Sequence, residues 1–203
     1  MNKNQPVFFY IPNLICYGRL ILTCLAAFFA LDKPILAATF YVVSEFSDAF
    51  DGYFARRLNQ ASHFGAVLDY IVDRAWLCVV IIMMSVMYPK FWLGFAFILV
   101  LDIISHISHV YSSLFLNRSH HKAVDHSHGY WLNLYYTNRK VLFTTCFLHN
   151  FIFFFIYLNY FFPHQTWLYV GGLICLPGFI FKTFIHILQL KASFQGLMEL
   201  DAK

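Results

Sequence analysis

The sequence predicts an all-α, multi-pass membrane protein with six transmembrane helices, and three observations carry the prediction. Of its 203 residues, 60% are apolar or aromatic and only 12% charged, with a mean hydropathy of +0.62. A soluble domain has about 45–50% apolar and about 25% charged residues. Six apolar runs have the roughly 20 residues needed to cross a bilayer. Lysine and arginine are distributed very unevenly between the two sides those runs define. The same composition excludes disorder, which needs low hydrophobicity and high charge.

The runs fall at about 14–31, 35–57, 65–87, 91–115, 141–162 and 167–190. A short amphipathic stretch, Val7 to Tyr10, precedes the first. Arg19 lies inside that first run, which has no small-residue cleavage pattern, so it reads as a retained span and not a signal peptide. Breakers separate the runs: Asp32-Lys33-Pro34, the polar stretch Arg57 to Ser62, Tyr88-Pro89-Lys90 and Pro163-His164-Gln165. The longest break, about Leu116 to Lys140, is polar and rich in histidine. No part has the composition of a separate soluble domain, so residues 1–203 read as a single membrane domain. The Phe-rich fifth run reads as lipid-facing, and Tyr and Trp near span ends read as interfacial anchors.

Six spans place both termini on one side. That side carries Lys3, Arg56, Arg57, Arg118, Lys122, Arg139, Lys140, Lys191 and Lys203, against Lys33 and Lys90 on the other. Nine against two puts the termini, and the break between spans two and three, in the cytoplasm. Arg19, Arg74 and Lys182 fall inside spans. The five cysteines, Cys16, Cys24, Cys78, Cys146 and Cys175, all lie in apolar stretches with no CxxC pair, and read as inert buried thiols.

Spans two and three carry acids that hydrocarbon does not tolerate unpaired. Asp48 and Asp51 are three apart and share one helix face; Asp69 and Asp73 are four apart and share a face of the next helix. A short turn makes the two helices antiparallel, so the four carboxylates are expected at one depth near the cytoplasmic surface. Arg56, Arg57 and Arg74 are the cations expected within reach of them. Four clustered carboxylates repel unless cations sit among them, and hard oxygen ligands suit Mg²⁺ or Mn²⁺. Two such ions could clamp a pyrophosphate. The small residues Gly52, Ala55 and Gly65 leave room for a flat base or sugar, and Arg56 could reach a phosphate with its fork of donors.

The pattern Asp-x2-Asp-Gly-x2-Ala-Arg-x8-Gly-x3-Asp-x3-Asp, from Asp48 to Asp73, resembles the signature of the CDP-alcohol phosphatidyltransferases, with every fixed position matched. Further stretches resemble the eukaryotic branch whose acceptor is myo-inositol: Ile11-Pro12-Asn13-Leu14, Leu58-Asn59-Gln60, Phe64-Gly65-Ala66, Leu101-Asp102 to His106, and Tyr135-Tyr136-Thr137 followed by Arg139. The likeness thins after about residue 150. It implies six transmembrane helices around a polar cavity open to the cytoplasm, and a homodimer in the endoplasmic reticulum. It implies transfer of the phosphatidyl group of CDP-diacylglycerol to an alcohol, with release of CMP. Matched residue by residue, it implies that Asp48, Asp51, Asp69 and Asp73 hold the metals and that Asp73 also takes the proton. Gly52, Arg56 and Ser62 fall at positions that bind the CDP-lipid, Ser62 standing where relatives often have Thr.

The signature is shared by enzymes acting on serine, glycerol phosphate, inositol phosphate, choline or ethanolamine; only the wider resemblance favours inositol. A transporter would spread its acids through the membrane depth, and a scaffold would not need four convergent carboxylates. Elsewhere, Asp102, His106 and His109 share a face of span four and read as a satisfied polar patch before a metal site. His120, His121, His126 and His128 read as a solvated loop, with no cysteine partners to suggest zinc. Arg139 and Lys140 fit equally a cavity position near the acceptor or ordinary cytoplasmic anchors.

Overall fold

The structure is a computed structural model and describes residues 6–115 and 129–202. Among these residues every regular element is helical. Seven α-helices follow a short 3-10 turn at Val7–Phe9: α1 (Ile11–Phe29), α2 (Pro34–Arg57), α3 (His63–Met87), α4 (Trp92–Phe115), α5 (Tyr130–Thr137), α6 (Arg139–Phe161) and α7 (Thr166–Asp201). Six of them coincide with the six apolar runs. Five, all but α2 and the eight-residue α5, are long and apolar enough to cross a membrane. In α2 the length is there, but Glu45, Asp48, Asp51, Arg56 and Arg57 lower its hydropathy. The helices expose large side chains such as Phe28, Leu93, Leu114 and Leu173, an arrangement suited to lipid and costly in water.

The chain divides into two compact units, one ending at Lys90 and the other beginning at Phe91. In the first, α1 packs along both α2 and α3. Its start is pinned to the turn between them, because Ile11 N–H donates to Gln60 Oε1 at 2.9 Å. The turn is built from its own sequence. Asn59 takes the left-handed conformation at φ 52°, which asparagine tolerates better than most residues. Gln60 N–H then reaches back to the Ala55 carbonyl at 3.0 Å and closes the end of α2. Ser62 opens α3 as its N-cap, with Oγ accepting from Gly65 N–H at 3.0 Å.

In the second unit α7 packs against α4 and α6, and α5 packs against both α6 and α7. Leu132 and Tyr135 of α5 are buried with Ile185 and Ala192 of α7. Gly178 lies so close to α6 that a β-carbon there would sit 2.3 Å from Leu148 Cβ, a small-residue approach of the kind that joins membrane helices. Asn138 caps α6, its Oδ1 accepting from Lys140 N–H at 3.0 Å. The last helix runs on to Asp201, beyond the expected end near residue 190. At 1.5 Å per residue its 36 residues are longer than a bilayer core is thick. Hydropathy reported the bilayer-length part; the helix continues because Gln189 to Asp201 contains no proline and no turn sequence to stop it.

The cysteines are free, as expected, but not all are buried: Cys24 is exposed and Cys78 and Cys146 are half-buried. Helix α5 interrupts the stretch read as a polar loop, and the four histidines His120, His121, His126 and His128 lie outside the described residues.

Candidate active site

Helices α2 and α3 bring Asp48, Asp51, Asp69 and Asp73 to one point, as their spacing requires. At that point stands a side chain from α1. Arg19 Nη1 donates to Asp51 Oδ2 and to Asp69 Oδ1, each at 3.0 Å, and Nη2 reaches Asp48 Oδ1 and Asp73 Oδ1, each at 2.7 Å. Each terminal nitrogen therefore takes one carboxylate from α2 and one from α3. These are lengths of charge-assisted hydrogen bonds. The expectation that only Arg56, Arg57 and Arg74 come within reach of the acids is corrected here: the guanidinium among them is that of Arg19. Arg57 pairs with the Tyr53 hydroxyl, and Arg56 lies exposed with its guanidinium beside Gly52. Arg74 Nη2 reaches Asp73 only at 4.0 Å and lies over the Tyr70 ring.

Burial is unequal across the cluster. The Arg19 side chain is 3% exposed and that of Asp51 9%, whereas those of Asp48, Asp69 and Asp73 are 50%, 44% and 36% exposed. Arg19 and Asp51 thus form the floor, and three carboxylates keep a face open. Even with Arg74 at 4.0 Å from Asp73, the four carboxylates outnumber the guanidinium groups beside them when all are ionised. The donor set suits a hard divalent cation: one oxygen each from Asp48, Asp69 and Asp73 lie within 4.8 Å of one another. Cys16, Asp51 and Asp69 form a second such group, with Cys16 Sγ donating to Asp51 Oδ2 at 3.5 Å.

Gly65 lets α1 and α3 come close, while Gly52 faces a side chain of its own helix. A β-carbon at Gly65 would meet Asn13 Oδ1 at 2.8 Å and Ser62 Oγ at 3.1 Å, and one at Gly52 would meet Arg56 Nη1 at 3.3 Å. Asn13, itself buried, donates from Nδ2 to the Val7 carbonyl at 2.6 Å and so ties the N-terminal turn to α1.

A family model described as CDP-alcohol phosphatidyltransferase matches residues 9–178. The chain belongs to the CDP-alcohol phosphatidyltransferase family. Among its curated relatives, the Candida albicans protein named CDP-diacylglycerol–inositol 3-phosphatidyltransferase is 38% identical, over 98% of this chain and 86% of its own length. Proteins of the same name from Saccharomyces cerevisiae and Homo sapiens are 38% and 33% identical, each over 98% of this chain, and over 90% and 96% of their own lengths. No solved structure matches the chain. Of the signature residues, the four acids meet at one site, the Arg56 guanidinium fills the space a β-carbon at Gly52 would face, and Ser62 already serves α3 as its cap.

The second unit holds a different polar cluster, and it is not the one the spacing suggested. Asp102, 3% exposed, has His106 Nδ1 at 3.5 Å and His186 Nε2 of α7 also at 3.5 Å. Ser105 Oγ lies 2.9 Å from His186 Nδ1, and His106 Nδ1 lies 2.9 Å from the Asp102 carbonyl. His109, although on the same helix face, instead stacks on Tyr136 with ring centroids 5.5 Å apart. Arg139 and Lys140 are exposed at the start of α6. His186 was not singled out from the sequence because it lies far along the chain from Asp102; Arg19 was noticed only as a charge inside a span.

Proposed function

We propose that this protein is an integral membrane enzyme that transfers the phosphatidyl group of CDP-diacylglycerol to myo-inositol, giving phosphatidylinositol and CMP. The observation that carries the reaction type is the convergence of four carboxylates from α2 and α3, three of them open at one face. The choice of acceptor rests on full-length relatives named for the inositol enzyme. The match of the family model across both units supports one functional domain over residues 1–203.

Asp48, Asp51, Asp69 and Asp73 would hold one or two divalent ions, Mg²⁺ or Mn²⁺, whose chemistry is to neutralise the pyrophosphate and the growing charge on departing CMP. Asp73, partly exposed, takes the proton of the attacking inositol hydroxyl. The hydroxyl oxygen forms the new bond to the phosphatidyl phosphorus, the bond to the CMP oxygen breaks, and CMP leaves with that electron pair. Arg56, exposed beside Gly52, would receive a donor phosphate with its fork of donors. Ser62 uses one lone pair as a cap and retains its proton to donate toward the nucleotide-lipid.

The lysine and arginine asymmetry supports six spans with the cavity and site facing the cytoplasm, where CMP and inositol are exchanged while the acyl chains stay in the bilayer. The family resemblance adds a homodimer in the endoplasmic reticulum. The test is purified protein with CDP-diacylglycerol and each alcohol in turn, following CMP release. Inositol should support release and serine, glycerol phosphate and inositol phosphate should not. Preference for another alcohol would reject the acceptor and leave the reaction type standing.

A further inference from the structure

We propose that Arg19 is a resident cation of the carboxylate site, which gathers the four acids before any divalent ion arrives and weakens the site's hold on that ion. The inference rests on the metal-dependent reading above and adds to it a role for α1, which the acidic signature does not include. A single side chain makes contact with all four acids, and each of its terminal nitrogens joins one helix to the other.

Without that guanidinium, four carboxylates at contact distances would push α2 and α3 apart. Arginine suits the task because it stays charged at every working pH and its planar fork fits several carboxylate oxygens at once. Its position is itself fixed. Thr23 Oγ1 donates to the Arg19 carbonyl at 2.8 Å, and Ser44 Oγ of α2 reaches the same carbonyl at 3.4 Å. The side chain, 3% exposed, has no open route away from the acids.

One positive charge cannot balance four negative ones, so Arg19 holds the site together without replacing the divalent ion. The two cations share the same carboxylates. Asp69 Oδ1 and Asp73 Oδ1, which Arg19 already engages, belong to the carboxylates that would ligate the ion. A unit charge a few ångströms from a divalent ion repels it, and even at high effective dielectric this lowers affinity by about tenfold or more. Arg19 is therefore a positioning residue with an electrostatic cost. It makes the metal-free protein stable and the bound metal exchangeable.

The experiment compares full-length wild type, Arg19→Gln and Arg19→Lys in detergent, with two readouts. Free Mn²⁺ is measured by electron paramagnetic resonance, and thermal unfolding is followed in EDTA and in Mn²⁺. Arg19→Gln should bind Mn²⁺ about tenfold more tightly than wild type. Its melting temperature should fall in EDTA and recover in Mn²⁺, widening the gap between the two conditions. Arg19→Lys, which keeps the charge and loses the fork, should bind Mn²⁺ like wild type and melt earlier in EDTA. An Arg19→Gln protein obtainable only in Mn²⁺ is the predicted collapse in its extreme form. If that variant is obtained in neither condition, Arg19→Lys decides: wild-type melting in EDTA overturns the proposal. Arg19→Gln that binds Mn²⁺ no tighter than wild type also overturns it. Wild type that binds no Mn²⁺ at all overturns the metal reading as well, which separates the two failures.

Discussion

Two clusters of ionisable side chains lie within apolar helices of this chain, and they are built on opposite principles. Around Arg19, four carboxylates meet one guanidinium, and three of the acids keep 36–50% of their side-chain surface open. Around Asp102, one carboxylate meets two imidazoles and neighbouring Ser105, with Asp102 at 3% and His186 at 5% exposure. The first has an excess of acid and is open; the second sets one acid 3.5 Å from two imidazoles and is closed. An intramembrane charge is costly in either case. Asp102, His106 and His186 also bring one ligand atom each within 4.8 Å of one another, but with Asp102 and His186 buried; the first cluster alone of the two combines excess negative charge with an open face for an ion or a substrate phosphate. Excess charge combined with access is what the proposed function needs of a reacting site, and the mere presence of intramembrane acids is not enough.

Substitutions should separate the two clusters. The largest effect is expected in the first. Asp48→Asn, Asp51→Asn and Asp69→Asn should each remove most CMP release while the protein still inserts, because each loses a charged ligand oxygen. Full activity in any one of them removes that residue from the metal site. His186→Ala should act on stability. Removing a buried partner of Asp102 should cost about 1–3 kcal/mol in detergent unfolding, with turnover per folded molecule unchanged. A collapse of turnover with normal stability would make the second cluster catalytic and end the distinction. The smallest effect is expected at Ser62→Ala, where loss of the α3 cap should cost about 1 kcal/mol. A small rise in the KM for CDP-diacylglycerol should accompany it, and a large rise with no loss of stability would show that the hydroxyl serves the donor and not the helix.

Much of this was legible in the sequence, for physical reasons that also explain the gaps. Asp48 with Asp51, and Asp69 with Asp73, could be placed on helix faces because residues three or four apart on one helix are neighbours. The turn that joins their helices is short enough to bring those faces together. Arg19 carried no such local signal. Its partners come from two other helices 29 to 54 positions away, and only the packing of α1 along both puts it among them. Its presence inside an apolar run was the available clue, since a buried arginine needs acids and the signature acids lie on the helices that follow. His186 was hidden in the same way, paired with Asp102 across 84 positions. His109 illustrates the converse: sharing a face with Asp102 did not decide its partner, because Tyr136 offered a ring to stack on. Helix α5 escaped notice because eight residues with two buried apolar side chains give too little periodicity to stand out from a polar segment.

The most direct measurement is the single-turnover rate of Asp73→Asn at saturating CDP-diacylglycerol and inositol, together with its affinity for the donor. The carboxamide keeps the size and one oxygen ligand of Asp73 but cannot accept the hydroxyl proton. The rate should fall by about 10²–10⁴-fold, with donor affinity close to wild type because Asp48, Asp51 and Asp69 remain. A variant that keeps its rate at saturation and loses donor affinity would contradict the account, reduce Asp73 to a ligand, and move the base elsewhere.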